Sequence, residues 1–177
     1  RLLTGRKITS IKRRARTVVT EDGLEQGYDR LILATGSLPS MPPIGGIDKD
    51  GVVTFRNIEG CERIRAIVEE GGGAVVVGGG LLGLEAARGL QVRGCDVTVV
   101  HLSATLMERQ LDETGGEYLA TAMESLGVQV MLGRSTSSIL GDEKVEGVAF
   151  VDGTKVEADL VVVAAGRHDE VCDHPME

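Results

Sequence analysis

A glycine-rich turn between an apolar strand and a helix constrains the fold of this chain more than any other feature. Residues 74–87 read Ala-Val-Val-Val-Gly-Gly-Gly-Leu-Leu-Gly-Leu-Glu-Ala-Ala, and a second strand-type run follows at 96–100. In the pattern Gly78-x-Gly80-x-x-Gly83, the first glycine allows a tight turn, the second admits a pyrophosphate, and the third lets the helix pack on the strand. The helix N-terminus adds free N–H groups and a partial positive charge. The sequence therefore predicts a dinucleotide site, with a ligand-free glycine turn as the alternative, at Gly78, Gly79, Gly80, Leu81, Leu82 and Gly83.

The composition narrows the class of protein. Of the 177 residues, 42% are hydrophobic but only 2% are aromatic, which indicates an aliphatic α/β core with room for one or two domains. A net charge of -8 argues against nucleic acid as a partner. No apolar run reaches the length of a membrane span, and no charged-then-apolar leader is visible, so we expect a soluble, cytoplasmic protein without a membrane partner.

The cysteines and the tail give no metal or redox motif. Cys61, Cys95 and Cys172 lie far apart without a Cys-x-x-Cys pair, so buried or idle thiols are expected. The tail at 168–174 holds two histidines and a cysteine, which we interpret as an incidental terminal segment rather than a metal site. Because the chain starts at Arg1 and runs directly into strand-like sequence, we expect a piece of a longer protein.

A repeat at a constant offset of 130 residues frames the glycine turn. The segment 29–36, Asp-Arg-Leu-Ile-Leu-Ala-Thr-Gly, is echoed by 159–166, Asp-Leu-Val-Val-Val-Ala-Ala-Gly, and an Asp-Gly pair precedes each copy. Each copy predicts a β-hairpin whose apolar second strand is buried on both faces, as in a parallel sheet. The small residues that end these strands permit close backbone approach to a ligand. They add four candidates to the site, namely Thr35, Gly36, Ala165 and Gly166.

The pattern around these features predicts the secondary structure. The proline-rich run at 38–43 cannot be helical and marks a domain boundary. A helix is predicted over 57–70, with one inward apolar stripe made of Ile58, Cys61, Ile64, Ile67 and Val68. After the glycine turn we expect a strand at 96–100, a helix near 112–126, and strands near 128–132, 135–140, 144–151 and 154–164.

These elements define the predicted fold class, an α/β, doubly wound Rossmann-type domain built from a βαβαβ unit and a β-meander. We divide the chain into a partial flanking domain at 1–43, the dinucleotide-binding domain at 44–158, and a return strand with its tail at 159–177.

His101 occupies the position where a dinucleotide fold usually holds an acid that accepts the hydroxyls of the adenosine ribose. It lies 18 residues after Gly83. A neutral histidine can share one hydrogen bond with a ribose hydroxyl, while a protonated one could meet a 2′-phosphate. The choice between NADH and NADPH therefore stays open, with NADH favoured.

Two further charged residues are candidates with alternative interpretations. Arg109 could bind a phosphate, or it could form an exposed ion pair with Glu108 or Asp112. Glu85 could interact with the helix dipole, or it could lie near the nicotinamide ribose or ring. Because no serine or cysteine nucleophile with a histidine base is recognisable, any catalysis must come from a cofactor.

The glycine turn, set between strands that end Ala34-Thr35-Gly36 and Ala164-Ala165-Gly166, resembles the pyridine nucleotide-disulphide oxidoreductase superfamily. More narrowly, the run Val-Val-His-Leu-Ser-Ala-Thr-Leu-Met-Glu-Arg-Gln-Leu-Asp at 99–112 resembles the large subunits of NAD(P)H-dependent nitrite reductases. The segments 28–37, 42–44 and 51–56 fit the same resemblance.

The resemblance implies an NAD(P)H-binding domain inserted into an FAD domain. The parent enzyme would pass hydride from NADH to FAD, and then electrons through iron–sulphur and sirohaem centres to nitrite, yielding ammonia in nitrate assimilation. This sequence lacks the glycine fingerprint for FAD and any cluster-binding cysteine set, and 166–171 departs from the family's Arg-Pro-Asn-like continuation. FAD, iron–sulphur and sirohaem are therefore expected only in the full-length protein, whose FAD and sirohaem domains would be partners of this chain.

In isolation we expect the chain to bind the nicotinamide dinucleotide without turnover. Two alternatives stay open: the NAD(P)H-binding part of a ferredoxin-type, rubredoxin-type or disulphide reductase, and a non-catalytic nucleotide-binding module.

Overall fold

The computed structural model describes residues 1–36, 38–39, 41–55, 57–68, 72–165 and 167–168. They form two compact units, one made of Arg1–Leu38 with Arg167–Glu177, and the other of Pro39–Gly166. The division falls at the start of the proline-rich run rather than after it. The second unit also includes residues 159–165, which the sequence predicts as part of the return segment.

The first unit contains a three-stranded antiparallel sheet. Its strands, in the order in which they pair, are β1 (Ile8–Lys12), β2 (Thr17–Thr20) and β3 (Glu25–Gly27). Gly23 has φ +81°, a left-handed conformation that favours glycine, and the Asp-Gly turn joins β2 to β3 as predicted. Two further short strands, β4 (Leu38–Pro39) and β13 (Arg167–His168), pair with each other.

The apolar end of the first repeat copy does not form the predicted strand. Residues 29–36 have no strand assignment, and Leu31, Ile32 and Leu33 are exposed, Ile32 by 87%. A strand that is apolar throughout is stable only with hydrogen-bonded neighbours and a layer on each face. Among the described residues of this unit, no strand pairs with this segment. The prediction of a buried strand here was therefore wrong.

The second copy forms the predicted apolar strand, but not as the second strand of a hairpin, because its Asp-Gly turn leads from Gly147–Phe150 into the separate short strand Lys155–Glu157. Its apolar strand, Leu160–Val163, is fully buried and lies between two parallel neighbours in the central sheet of the second unit. The preceding Asp-Gly turn again joins two antiparallel strands. The two copies share an apolar pattern, but only the copy with neighbouring strands on both sides forms a strand.

The second unit is built on a five-stranded parallel sheet with the order β5-β12-β6-β7-β8. Its strands are β5 (Val52–Thr54), β6 (Gly72–Val77), β7 (Cys95–Val100), β8 (Val128–Met131) and β12 (Leu160–Val163). Its helices are α1 (Ile58–Ile67), α2 (Leu81–Gln91) and α3 (Glu113–Ser125). The predicted α/β class with a parallel central sheet is confirmed.

Different layers cover the two faces of this sheet. Because side chains alternate along a strand, Val76 and Val162 face a cluster formed with the three helices, whereas Val75 and Val161 face the other side. That side packs against an antiparallel meander of β9 (Thr136–Leu140), β10 (Gly147–Phe150) and β11 (Lys155–Glu157). The core is therefore a sandwich of helices, parallel sheet and meander, and it is almost entirely aliphatic.

Helix α1 follows the predicted stripe except at its first residue. Asn57 caps it by accepting a hydrogen bond from the Gly60 N–H, and Ile64 and Val68 are buried. Ile58 was expected on the same stripe but is 78% exposed. Helical side chains lean toward the N-terminus, so a residue in the first position extends beyond the helix rather than over a preceding turn.

In the part of the chain that the structure describes, no helix is long and apolar enough to cross a membrane.

These observations give a matched test of the core on one helix. Replacing Ile64 with alanine removes a buried side chain and should lower the free energy of unfolding by about 2–4 kcal/mol. The same change at exposed Ile58 should alter it by less than about 0.5 kcal/mol. Urea unfolding followed by circular dichroism measures both, and equal losses would contradict the assignment of the buried face.

Candidate dinucleotide-binding site

The β6–α2 turn brings backbone segments so close together that side chains are excluded at two of its glycines. Gly78 has φ +123°, and a Cβ atom there would lie 2.5 Å from the carbonyl oxygen of Ala164. A Cβ atom on Gly83 would lie 1.9 Å from the carbonyl oxygen of Gly78. The first and third glycines of the motif therefore provide the tight turn and the close helix–strand packing that the spacing predicts.

Gly80 differs because nothing within the described chain requires a glycine there. Its φ of -83° is accessible to any residue, and a Cβ atom would meet no atom within 4 Å. The glycine instead leaves free space in front of the helix. A pyrophosphate approaching the backbone would need that space, so this residue fits a dinucleotide better than it fits any packing role.

The start of α2 is open to an external acceptor. The N-cap positions of α1 and α3 are Asn57 and Asp112, and each side chain accepts a backbone N–H at 2.8 Å. Helix α2 instead begins at Gly80 without a side-chain cap and has no acidic residue in its first turn. Its first N–H groups, including those of Leu81 and Leu82, together with the positive end of the helix dipole, are available to an anion.

Gly79 joins the turn to the loop that follows β7. Its N–H donates to Nδ1 of His101 at 3.1 Å, and its carbonyl oxygen accepts the N–H of Met107 at 3.1 Å. A Cβ atom at Gly79 would lie 2.6 Å from Leu106 and 2.7 Å from His101. Because its N–H is already donated within the chain, Gly79 positions the turn rather than offering a donor to a ligand.

Both ring nitrogens of His101 are engaged within the chain. Nδ1 faces an N–H donor and must act as the acceptor, so the ring proton is assigned to Nε2, which donates to Glu108 Oε2 at 2.9 Å. This hydrogen bond is the main cause that lowers the pKa of Glu108 below its ordinary value, with a smaller contribution from the Ser103 hydroxyl. The arrangement leaves His101 without a free nitrogen for a ribose, which changes the prediction for that residue.

Arg109 does not form the predicted ion pair. Glu108 is bound by His101, and the carboxylate of Asp112 accepts the Gly115 N–H at the start of α3. Both expected partners thus contact other groups, and within the described ranges Arg109 has no ion pair and is exposed. Its alternative interpretation, a phosphate partner, stays a prediction.

Glu85 is the fifth residue of α2 and is exposed. The interaction with a helix dipole falls off within the first turn, so the dipole is a weak reason for a carboxylate at this position. Its predicted place near the nicotinamide remains a prediction.

The end of β12 lies against the glycine turn, as the repeat suggested. The backbone nitrogen of Ala165 is 3.2 Å from the place that a Cβ atom of Gly78 would take. Gly166 lies outside the described residues. Thr35 and Gly36 belong to the other unit, where both are exposed, and Gly36 has φ +76°.

Sequence reasoning overlooked Glu108 as a site residue and considered it only as a partner for Arg109. The available signal was the histidine at the end of β7, where an acid is usual. When a histidine replaces that acid, a nearby carboxylate could take its role, and the carboxylates of residues 101–112 are Glu108 and Asp112.

The parallel sheet, the uncapped helix and the glycine turn define an α/β domain of the dinucleotide-binding class. The chain belongs to the pyridine nucleotide-disulphide oxidoreductase family, whose sequence model matches residues 1–171. Members of this family are oxidoreductases that use NAD(P)H and FAD.

Three relatives illustrate the range of similarity. The nitrite reductase [NAD(P)H] of Bacillus subtilis (strain 168) is 48% identical over 165 residues, which cover 93% of this chain and 20% of that protein. The NADH oxidase of Methanocaldococcus jannaschii is 43% identical, over 84% of this chain and 34% of that protein. A ferredoxin reductase structure from Rhodopseudomonas palustris has a TM-score of 0.83 at 28% identity, over 92% of this chain and 40% of its own. The chain thus spans about a fifth of the nitrite reductase it resembles.

The open space at Gly80 predicts how a substitution there would act. Gly80→Val should leave the thermal unfolding midpoint nearly unchanged, since the backbone conformation suits valine, but should weaken NADH binding at least about tenfold by obstructing the pyrophosphate. Gly89→Val is the matched control, because Gly89 lies on the same helix and also has open space around it. Calorimetric titration with NADH measures both variants, and equal affinity for NADH in the two would contradict the role of Gly80.

Proposed function

We propose that this chain is the NAD(P)H-binding part of a flavin-dependent oxidoreductase of the nitrite reductase type. In that protein NADH would deliver hydride to FAD for the reduction of nitrite to ammonia. The observation that carries the proposal is the uncapped N-terminus of α2 behind the free space at Gly80. Such a helix end supplies N–H donors and positive potential to a pyrophosphate without any basic side chain.

The sheet order supports one orientation of the dinucleotide. Strand β6, which leads into the glycine turn, has β7 on one side and β12 on the other. From β6 the chain continues to β7 and β8 on one side, and it later returns to β12 on the other side. Dinucleotides bind at such switch points in the strand order. With the pyrophosphate at α2, the adenosine half would extend toward the end of β7 at His101, and the nicotinamide half toward the end of β12 at Ala165.

The chain's own residues would bind and orient the cofactor rather than take part in bond making. Nicotinamide supplies the hydride when bound, and the FAD of the parent protein would accept it. Gly80, Leu81 and Leu82 would hold the phosphates, while Glu85 would lie near the nicotinamide. Arg109 would offer a cation to the 5′-phosphate of the adenosine half.

The nitrite reductase type is favoured by the 48% identity to the Bacillus subtilis protein. In this proposal the FAD, iron–sulphur and sirohaem centres belong to parts of the parent protein beyond this chain, and Thr35 and Gly36 would approach the flavin. The proposal includes a cytoplasmic location, where the NADH pool is found.

A second candidate is a reductase or oxidase of the same family with a different acceptor. The 43% identity to an NADH oxidase and the TM-score of 0.83 to a ferredoxin reductase favour it over a non-catalytic module. The two candidates share the dinucleotide site and differ in what receives the electrons.

Activity assays of the parent protein, which contains this chain, distinguish the two candidates. We expect the wild-type protein to oxidise NADH only when nitrite is present and to form ammonium. The Gly80→Val variant should lose this activity. Dithionite-driven nitrite reduction should survive in that variant, because reduced dye or dithionite bypasses the nucleotide site, and Gly89→Val should retain both activities. NADH oxidation at an equal rate without nitrite, yielding peroxide or water, would contradict the nitrite reductase type and support an oxidase.

A further inference from the structure

The loop after β7 presents a carboxylate where an adenosine ribose would lie, although the residue that ends the strand is a histidine. Oε2 of Glu108 is 2.9 Å from Nε2 of His101, so the carboxylate stands directly beyond the strand end. The second acid of this loop, Asp112, already accepts the Gly115 N–H at 2.8 Å. Asp112 is committed to the cap of α3, whereas Glu108 is bound to the residue that ends β7, so Glu108 is the carboxylate of residues 101–112 that lies at the strand end.

We propose that Glu108, positioned by His101, accepts hydrogen bonds from the ribose hydroxyls of the adenosine half and thereby makes the site selective for NADH over NADPH. The proposal rests on the proposed function, since it assigns a residue to the dinucleotide that the glycine turn would hold. It gives His101 a positioning role instead of direct contact with the ribose.

The hydrogen-bonding capacity of Glu108 fits this role. A carboxylate has two oxygens with about four acceptor sites, and His101 and Ser103 use two of them. The Glu108 side chain is 39% exposed, so a ligand can reach it from solvent. Its lowered pKa keeps it ionised at neutral pH, which makes it an acceptor of hydroxyl protons.

The backbone holds this carboxylate in a fixed relation to the glycine turn. Gly79 donates its N–H to His101 and accepts the N–H of Met107, the residue before Glu108. Met107 has φ 51°, a left-handed conformation that is uncommon outside glycine and aims the following residue. Leu106 is completely buried beneath the loop. The two hydrogen bonds of Gly79 thus link the glycine turn, where the phosphates would lie, to the loop that carries Glu108.

Charge supplies the selectivity. The 2′-hydroxyl of NADH can donate to the carboxylate, whereas the 2′-phosphate of NADPH would bring a second negative charge to the same place. Like charges brought together cost free energy, and the cost rises when a carboxylate is held in position by its partners.

Calorimetric titration of the chain with NADH and with NADPH tests the proposal. Wild type should bind NADH at least about tenfold more tightly, and Glu108→Gln should reduce that ratio by about tenfold, mainly through improved NADPH binding. Glutamine retains the size of the side chain and an acceptor for His101, so the fold should be preserved. Glu108→Ala should lower the NADH affinity as well, because both the acceptor and the charge are lost.

The matched control is Glu117→Gln, an exposed glutamate on α3, which should leave both dissociation constants unchanged. An unchanged NADH/NADPH ratio in Glu108→Gln, or a wild-type preference for NADPH, would overturn the inference about Glu108 while leaving the dinucleotide site intact. Failure of wild type to bind either nucleotide would overturn the proposed function itself.

Discussion

The close approach of α2 to β6 is the constraint on which the rest of the site depends. With no side chain at Gly83, the helix can pack against the carbonyl oxygen of Gly78, where a Cβ atom would be only 1.9 Å away. The helix therefore starts directly at the carboxyl edge of the parallel sheet, between the ends of β7 and β12. Its first amides lie at that edge, and no side chain at Gly80 obstructs them. Backbone packing, rather than a set of polar side chains, creates the proposed anion site.

The loop after β7 extends this backbone arrangement into a second, oppositely charged region. Two hydrogen bonds join it to Gly79, one through the ring of His101 and one through the N–H of Met107. The uncapped helix would offer positive potential to phosphates, while the carboxylate of Glu108 would offer negative charge to hydroxyl groups. In the proposed complex the pyrophosphate and the adenosine ribose of one cofactor thus meet environments of opposite sign.

Local patterning predicted the elements that depend on neighbours close in sequence. The glycine turn and the helix after it appear in the structure as predicted. The apolar strand Leu160–Val163 also appears, although its partners β5 and β6 are distant in sequence. The first copy, around Ile32, does not form a strand, because burial on both faces requires partner strands that no local pattern can specify. Ile58 is a second example, because an apolar stripe predicts which face of a helix is buried but not how far along the helix the neighbouring elements cover that face.

The side-chain roles were harder to predict for a related reason. The function of His101 depends on Gly79, 22 residues earlier, and on Glu108, seven residues later. One interpretation paired Arg109 with Glu108 or Asp112, but in the structure Glu108 contacts His101 and Asp112 caps α3. Such competition among partners becomes visible only when the tertiary contacts are known, whereas the glycine turn could be predicted because its three glycines are close in sequence.

Backbone amide shifts in an ¹⁵N-labelled sample of the chain, recorded during a titration with NADH, reveal whether the glycine turn holds the pyrophosphate. We expect the largest changes at Gly80, Leu81 and Leu82, where free N–H groups would donate to the pyrophosphate. Smaller changes are expected at Gly79, whose N–H is already donated to His101, and little change in the meander strands β9–β11. Saturable binding with the largest changes outside the β6–α2 turn, or no change at any of these amides, would contradict the assignment of the glycine turn as the phosphate site.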